Sequence, residues 1–392
     1  YNVSSLDDIS KLVLRYGKLI EGFPNYLSVH SAGILILDKP VHSYSATDLP
    51  PKGFSTVQFD MIIAEDVGVF KFDILGQRGL AKIKDALEII KENQPDAPEI
   101  DITDVETFKK DKNINNLLKS GGAIGAYYVE SPAMRGLMTQ LQTQDYLGLV
   151  AASSIIRPGV SGSGMKDEFI KRHHNPENRK KAHPILVKIM PETYGVMVYQ
   201  EDVLKVANQF ADLTLGEADV LRRGMSGKFR SRAEFVAVEQ KFIDKCRTKG
   251  FGDELIFGVW NQIKSFAGYA FAKGHSASYA VESYQSLFLK CYYPLEFMTA
   301  VLNNGGGFYS AEHYLHEARM QGAEVCLPCI NNSEHSNRLV GKKIYLGLGY
   351  LKNLEAFTVQ RLLTERQFNG YYESLDNFID RVVISIEQLT IL

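Results

Sequence analysis

The chain has 392 residues, 45% of them hydrophobic and 23% charged, with a formal net charge of −2. That profile belongs to a soluble globular protein and excludes a disordered or collagen-like chain. The length exceeds one ordinary core and implies two or three domains. So small a net charge means that any polyanion must be held by local basic patches rather than by the overall field.

No apolar run reaches membrane-spanning length, and no secretory signal is evident, so a cytoplasmic setting without a membrane partner is expected. The four cysteines, Cys246, Cys291, Cys326 and Cys329, read as reduced thiols. Cys326-Leu327-Pro328-Cys329 is a lone C-x-x-C with His313 and His316 as the nearby second pair for zinc; two cysteines beside a proline turn is the favoured reading. The chain starts at Tyr1 and stops at Leu392 within a helical pattern, so it reads as a piece of something longer.

In chain order, Leu6 to Gly22 carries apolar residues at helical spacing. Strand-like runs follow at Gly33–Leu37 and Val67–Leu75, separated by the loop Asp48-Leu49-Pro50-Pro51-Lys52-Gly53. In the second run Lys71 and Asp73 interrupt apolar residues two positions apart. On a strand, Val69, Lys71, Asp73 and Leu75 share one face, and Phe70, Phe72 and Ile74 form a core face. Helices dominate from Leu80 onward, beginning with Ala81–Glu92. Thr214-Leu215-Gly216-Glu217 is a capping box, and Ala280–Cys291 is a further helix. The pattern predicts a small mixed part up to about residue 78 and a larger helical part.

Polar clusters break apolar runs at Arg157-Pro158-Gly159, at Tyr199-Gln200-Glu201 after the strand-like "YGVMVYQE", at Arg222-Arg223-Gly224, and at the loop "FAGYAFAKGHS". Singly, each reads as a salt-bridged or packing feature. Together they suit phosphate chemistry: arginine forks and lysine point charges for phosphate oxygens, glycines for close backbone approach, and a tyrosine to stack on a sugar or base. An isolated strand Asp suits magnesium, which takes hard oxygen ligands. Lys166 to Lys188 holds a basic surplus, including Lys171, Arg172, Lys180 and Lys181, that reads either as a nucleic-acid backbone track or as a solvated loop. Gly224-Met225-Ser226-Gly227-Lys228 is not a P-loop, because Arg222 stands where the first glycine is required.

"GVFKFDILGQRGL", "AYYVESPAMRGL", "RPGVSGSGM", "TYGVMVYQEDVLKVA", "LGEADVLRRGM" and "FAGYAFAKGHSASYAVESYQSLFLK" resemble, in this order, the core of the bacterial DNA polymerase III alpha subunit family. The resemblance runs from about Gly22 to the C-terminus. It implies an α+β, mostly helical fold: a partial polymerase-beta-like nucleotidyltransferase palm followed by a large helical fingers region. The implied division is 1–25 end of thumb, 26–78 partial palm, 79–325 fingers, and 326–392 a fingers extension with a helix-hairpin-helix-like element starting near Gly347-Leu348-Gly349.

The resemblance further implies DNA-directed DNA synthesis from dNTP on a primer-template. Two Mg2+ ions would be held by three aspartates, and a sliding clamp and other replisome subunits would be partners. Asp73 matches the third metal-binding aspartate, and Lys71 the lysine near the triphosphate. Arg222 and Arg223 match the fingers arginines on the triphosphate, Gly268 and Tyr269 the loop against its sugar, and Lys273 and His275 polar residues of that loop. Glu130 lies in a motif associated with the cleft. The other two aspartates have no match here; Asp101 and Asp104 resemble them superficially but sit in a polar connector, three residues apart. Tyr127-Tyr128 stands where Phe-Gln is common in the family, Gly224–Lys228 where Ala-Met-Gly-Lys-Lys is common, and Ala272 where Asn is frequent, which suggests a divergent, accessory or error-prone branch. A polypeptide with one of three metal acids is expected not to polymerise alone. The competing reading is a non-catalytic nucleic-acid-binding module in which Lys71 and Asp73 are a structural ion pair.

Overall fold

The computed structural model describes residues 6–23, 29–30, 32–51, 53–161, 163–225, 232–265 and 272–392. They divide into two compact units, Tyr1–Gln77 and Arg78–Leu392.

The first unit opens with the helix Asp8–Leu19, whose N-cap Asp7 accepts the Ser10 amide at 2.8 Å. Ile9, Leu12, Val13, Tyr16, Leu19 and Ile20 form its apolar stripe, and all are exposed. Strand β1 (Gly33–Leu35) pairs antiparallel with a later strand, Lys71–Asp73; between them β2 (Thr47–Asp48) pairs antiparallel with β3 (Thr56–Val57), so Lys71–Asp73 is β4.

The strand expected over Val67–Leu75 shortens to these three residues. The helix Met61–Asp66 runs into that segment and is closed by Gly68 at φ 77°. The Gly68 amide reaches the Glu65 carbonyl at 3.1 Å, and the Val69 amide reaches the Ala64 carbonyl at 2.8 Å. This is the left-handed helix stop that glycine permits without a Cβ penalty. The expected core face is also corrected. Phe70, Phe72 and Ile74 are 65%, 48% and 60% exposed, whereas Val69, assigned to the charged face, is buried. Two strands of three residues are too narrow a sheet to cover a face.

The second unit is predominantly helical. Its centre is the helix Lys273–Tyr292, longer than the expected Ala280–Cys291, which buries Ala280, Tyr284, Leu287 and Leu289. Two of its buried serines bond to distant parts of the unit: Ser276 shares a 2.7 Å hydrogen bond with Ser154, and Ser283 donates to the Tyr127 carbonyl at 3.0 Å. Lys290 is buried too, donating to the Ile124 carbonyl at 2.6 Å and to Glu317 at 2.7 Å. A lysine taken out of water needs such partners.

Among the described residues three apolar clusters fill the unit. The largest runs from Val105 to Leu287 and holds Trp260, Phe242 and Phe210. A second joins the helices Arg78–Asn93, Pro294–Asn303 and Ala311–Met320. The third, around Leu348, Leu362 and Phe378, lies in the C-terminal segment. A three-stranded sheet is ordered β5-β7-β6, with β5 (Glu324–Cys326) parallel and β6 (Arg338–Val340) antiparallel to β7 (Lys343–Tyr345).

"YGVMVYQE" is not a strand: Val196, Met197, Val198 and Tyr199 are buried between the turn Pro191–Thr193 and the helix Gln200–Lys205. A continuous buried apolar run of this length does not by itself distinguish strand from packed loop.

Candidate functional site

In the first unit, β4 projects Lys71 and Asp73 from the same side of the strand. Their side chains form a direct ion pair, with Lys71 19% and Asp73 50% exposed. The register sets Gly33 opposite Asp73. A Cβ on Gly33 would lie 2.8 Å from the Lys71 Cδ and 2.9 Å from the His30 Nδ1, so only glycine leaves room for both.

His30 is a site residue that sequence reasoning missed; a lone histidine ahead of a strand carries no pattern. Its Nδ1 lies 3.8 Å from the Asp73 Oδ1. That nitrogen accepts the amides of Ala32 at 3.1 Å and Gly33 at 2.6 Å. Among the described residues, no group of three or more His, Cys, Asp or Glu side chains can hold a metal ion. Asp73 alone does not meet the oxygen count of a magnesium site. Asp101 and Asp104 are no substitute: Asp101 closes a turn onto Thr103, and Asp104 caps the helix Val105–Lys110.

In the second unit, Arg222 lies on the helix Leu215–Met225, its Nε donating to the Asp219 carboxylate at 2.7 Å. The capping box starts that helix as expected: the Thr214 amide meets Glu217 at 2.8 Å, and the Glu217 amide meets the Thr214 hydroxyl at 3.3 Å. Arg223 lies on the same helix, but its side chain is outside the described residues, as are Gly268 and Tyr269 altogether.

Lys273 begins the central helix, and its amide donates to both oxygens of Glu201, at 3.1 and 2.9 Å. An acid at that end also suits the partial positive charge of a helix N-terminus. The Lys273 ammonium pairs with Glu192 and lies 5.2 Å from the centre of the Tyr199 ring. His275, two residues on, is exposed and stacks on Tyr279 at 6.2 Å. Glu192 was missed from the sequence, because its partner is 81 residues away.

Glu130 is buried and works as a clasp. It accepts the Gly125 amide at 2.9 Å, the Phe308 amide at 2.8 Å and the Tyr314 hydroxyl at 2.7 Å. Gly307 is required beside it, since a Cβ there would lie 2.0 Å from the Glu130 Oε1.

The basic segment divides in use. Arg172 bonds Glu168 at 2.8 Å and the Tyr194 carbonyl at 2.7 Å, so it is committed to the fold. Lys180 pairs with Glu177, while Lys171 and Lys181 are exposed. All four cysteines are free, and His313 stacks on Tyr309 at 4.4 Å. Among the described residues no helix is long and apolar enough to cross a membrane.

Three family models match the chain. Residues 2–76 match the bacterial DNA polymerase III alpha NTPase domain, 64–250 the finger domain of the same subunit, and 322–392 a helix-hairpin-helix motif. The DNA polymerase III subunit alpha of Staphylococcus epidermidis is 34% identical over 369 residues, covering 93% of this chain and 34% of the relative. The chain belongs to the bacterial DNA polymerase III alpha family. The Aquifex aeolicus subunit is 32% identical over 376 residues, covering 95% of this chain and 32% of the relative. That of Staphylococcus aureus strain COL is 32% identical over 389 residues, covering 96% and 36%. The chain thus spans about a third of the length of the curated relatives it matches. The alpha-family NTPase match contains β4 with Lys71 and Asp73, and the finger match contains Arg222.

Proposed function

We propose that this chain is the later palm and the fingers of a template-directed DNA polymerase, which transfers a nucleotidyl group from a dNTP to a primer 3′-hydroxyl. The observation that carries the reading is the ordered match of the NTPase and finger models across residues 2–250. The division into thumb end, palm, fingers and extension at residues 25, 78 and 325 is part of the same reading.

In it, Asp73 contributes carboxylate oxygens to a Mg2+ site whose other acids belong to other parts of the longer protein. Lys71 faces the triphosphate from the same strand. Arg222 and Arg223 hold the triphosphate, each guanidinium offering a planar fork of donors. Gly268, Tyr269, Lys273 and His275 line the nucleotide's sugar side. Asp219 holds Arg222 in place and is exchanged for phosphate oxygens when nucleotide binds, and Glu192 holds Lys273 on the sugar side. Lys171, Lys180 and Lys181, with the helix-hairpin-helix segment, contact the DNA backbone, and a sliding clamp and replisome subunits engage the longer protein in the cytoplasm.

The test is Asp73→Asn in the full-length protein. Primer extension is abolished while primer-template binding is unchanged, and the 392-residue chain alone extends no primer. Ordinary extension by the Asp73→Asn protein removes Asp73 from the metal site. A second reading, a non-catalytic nucleic-acid-binding module, draws on the direct Lys71–Asp73 ion pair. It predicts a full-length protein that binds primer-template and extends nothing, with or without the substitution.

A further inference from the structure

An open cleft of about 750 Å3 is lined by the helix Ala356–Asn369 and by Glu334, His335 and Arg338. That volume lies within the range of ligand sites. Its second wall is fixed by backbone. The amides of Leu348 and Gly349 donate to the carbonyls of Glu334 and His335, at 2.9 and 3.0 Å, and the Gly347 amide donates to the Asn337 Oδ1 at 3.1 Å. A Cβ on Gly347 would lie 2.4 Å from the His335 carbonyl oxygen, so only glycine lets the two segments touch. Arg366 ties the helix to the same wall. Its Nη1 donates to the carbonyls of Ile330 and Ser333, at 2.8 and 2.7 Å, and its Nη2 to Glu334 at 2.6 Å. The cleft is therefore preformed, and a ligand does not have to order it.

Its chemistry divides by position. Val359 and Leu363, one turn apart on the helix, supply an apolar floor, while Gln360, Thr364 and Gln367 are exposed along the helix. Among the described residues these three side chains have no hydrogen-bond partner. Charge gathers at the other wall. Glu334 is the acid of the lining, and two guanidiniums share it, Arg366 at 2.6 Å and Arg338 at 3.8 Å. One carboxylate against two guanidiniums leaves a positive excess, with Arg338 46% exposed and His335 exposed beside it. From Ala356 to Gln367 the helix rises about 17 Å. An extended chain covers that length in about five residues.

We propose that this cleft receives an extended acidic segment of a partner protein, with apolar side chains on the floor of Val359 and Leu363 and a carboxylate on Arg338. An extended segment brings unpaired backbone N–H and C=O groups, and the glutamine amides offer an acceptor and donors for them. Successive side chains of such a segment face opposite ways, so alternating apolar and acidic residues serve floor and wall at once. A nucleic-acid backbone, charged at every phosphate, would need cations along the helix, where Gln360, Thr364 and Gln367 stand. The proposal goes beyond the polymerase reading and does not rest on Asp73, Arg222 or primer extension.

The test is fluorescence anisotropy of the complete chain with a labelled hexapeptide alternating leucine and aspartate, and with its counterpart carrying lysine for aspartate. The acidic peptide binds about tenfold more tightly, the scale of one charge-assisted hydrogen bond. Arg338→Ala removes most of that preference. Gln360→Ala and Gln367→Ala together weaken the acidic peptide about tenfold, the scale of two neutral hydrogen bonds. Lys352→Ala, which removes an exposed cation outside the cleft, leaves binding unchanged. Thermal unfolding confirms that each variant is folded; should Arg338→Ala fail to fold, the glutamine pair and the intact chain still decide the matter. Equal affinity of the intact chain for the two peptides, including no binding of either, overturns the proposal. So does a loss on Lys352→Ala as large as that on Arg338→Ala, which means attraction to surface charge at large. A DNA duplex that displaces the acidic peptide and binds Arg338→Ala less tightly assigns the cleft to nucleic acid. A dimer in sedimentation that Arg338→Ala dissociates assigns it to a second copy, and either result overturns the proposal as well.

Discussion

The two units bury their apolar residues very differently. In Tyr1–Gln77 the buried hydrophobics among the described residues are Ala32, Ala64 and Val69, while Ile9, Val13, Tyr16, Phe23, Phe54 and Phe70 are all at least 60% exposed. In Arg78–Leu392 whole clusters are closed, with Trp260, Tyr284, Tyr314 and Phe297 at or below 1% exposure. Burying a large apolar side chain is worth about 1.5–3 kcal/mol. The second unit therefore holds its own stability, and the first has little apolar burial of its own. The charged pair proposed for chemistry lies in the weaker of the two.

The largest expected effect tests that contrast directly. In hydrogen exchange on the complete chain, amides of β1 and β4 exchange on the order of a thousandfold faster than those of the Lys273–Tyr292 helix, because local opening free energies follow buried contacts. Equal protection in the two regions would break the comparison.

A pair of substitutions sharpens it. Glu130→Ala strips the acceptor from the buried Gly125 amide, the part-buried Phe308 amide and the Tyr314 hydroxyl. The expected loss is about 3–5 kcal/mol, read as a lowered midpoint in urea. Asp73→Ala breaks an ion pair that is half open to solvent on the acid's side. It changes the stability of this chain by no more than about 1 kcal/mol. Comparable losses at the two sites would mean that the first unit carries stability its burial does not show.

Arg222→Ala in the full-length protein comes next. Removing one charge-assisted contact weakens nucleotide binding by about 1.5–3 kcal/mol, seen in the nucleotide dependence of extension. An unchanged dependence would leave Arg222 as no more than the partner of Asp219.

What was legible in the sequence was local. The Thr214–Glu217 box follows from short-range hydrogen bonding and the first helix from apolar spacing over Leu6 to Gly22, and Asp104 could be rejected as a metal ligand because its spacing from Asp101 did not suit a strand face. The Lys71–Asp73 pair was visible because strand alternation is local too. Long-range partners left no trace: Glu192 for Lys273, Glu201 for the helix start, Glu130 for Phe308. The expected strand around Asp73 was overstated because Gly68 stops a helix that its apolar neighbours do not announce. The basic surplus between Lys166 and Lys188 was partly spent within the fold, since Arg179 bonds the carbonyls of Arg172 at 2.7 Å and His173 at 3.0 Å.

The smallest effect compares one device used in both units, an acid at a helix start. Glu217 is pulled down from 4.5 to about 2, first by the hydrogen bond from the Lys241 ammonium and then by the Thr214 amide. Asp7 is also held below its ordinary value, chiefly by the Ser10 amide and then the Ser10 hydroxyl. A carboxyl lowered by folding adds stability above its unfolded value, and that stability is lost as pH falls through the folded one. For Glu217 the window runs from 4.5 down to about 2. Carbon-13 NMR titration of the carboxyls is expected to place Glu217 at the bottom of that window. Lys241→Met moves it upward, whereas Ser10→Ala moves Asp7 only partway, because the Ser10 amide stays. A Glu217 that titrates near 4.5 in the unaltered chain would show that neither the Lys241 ammonium nor the Thr214 amide is engaged.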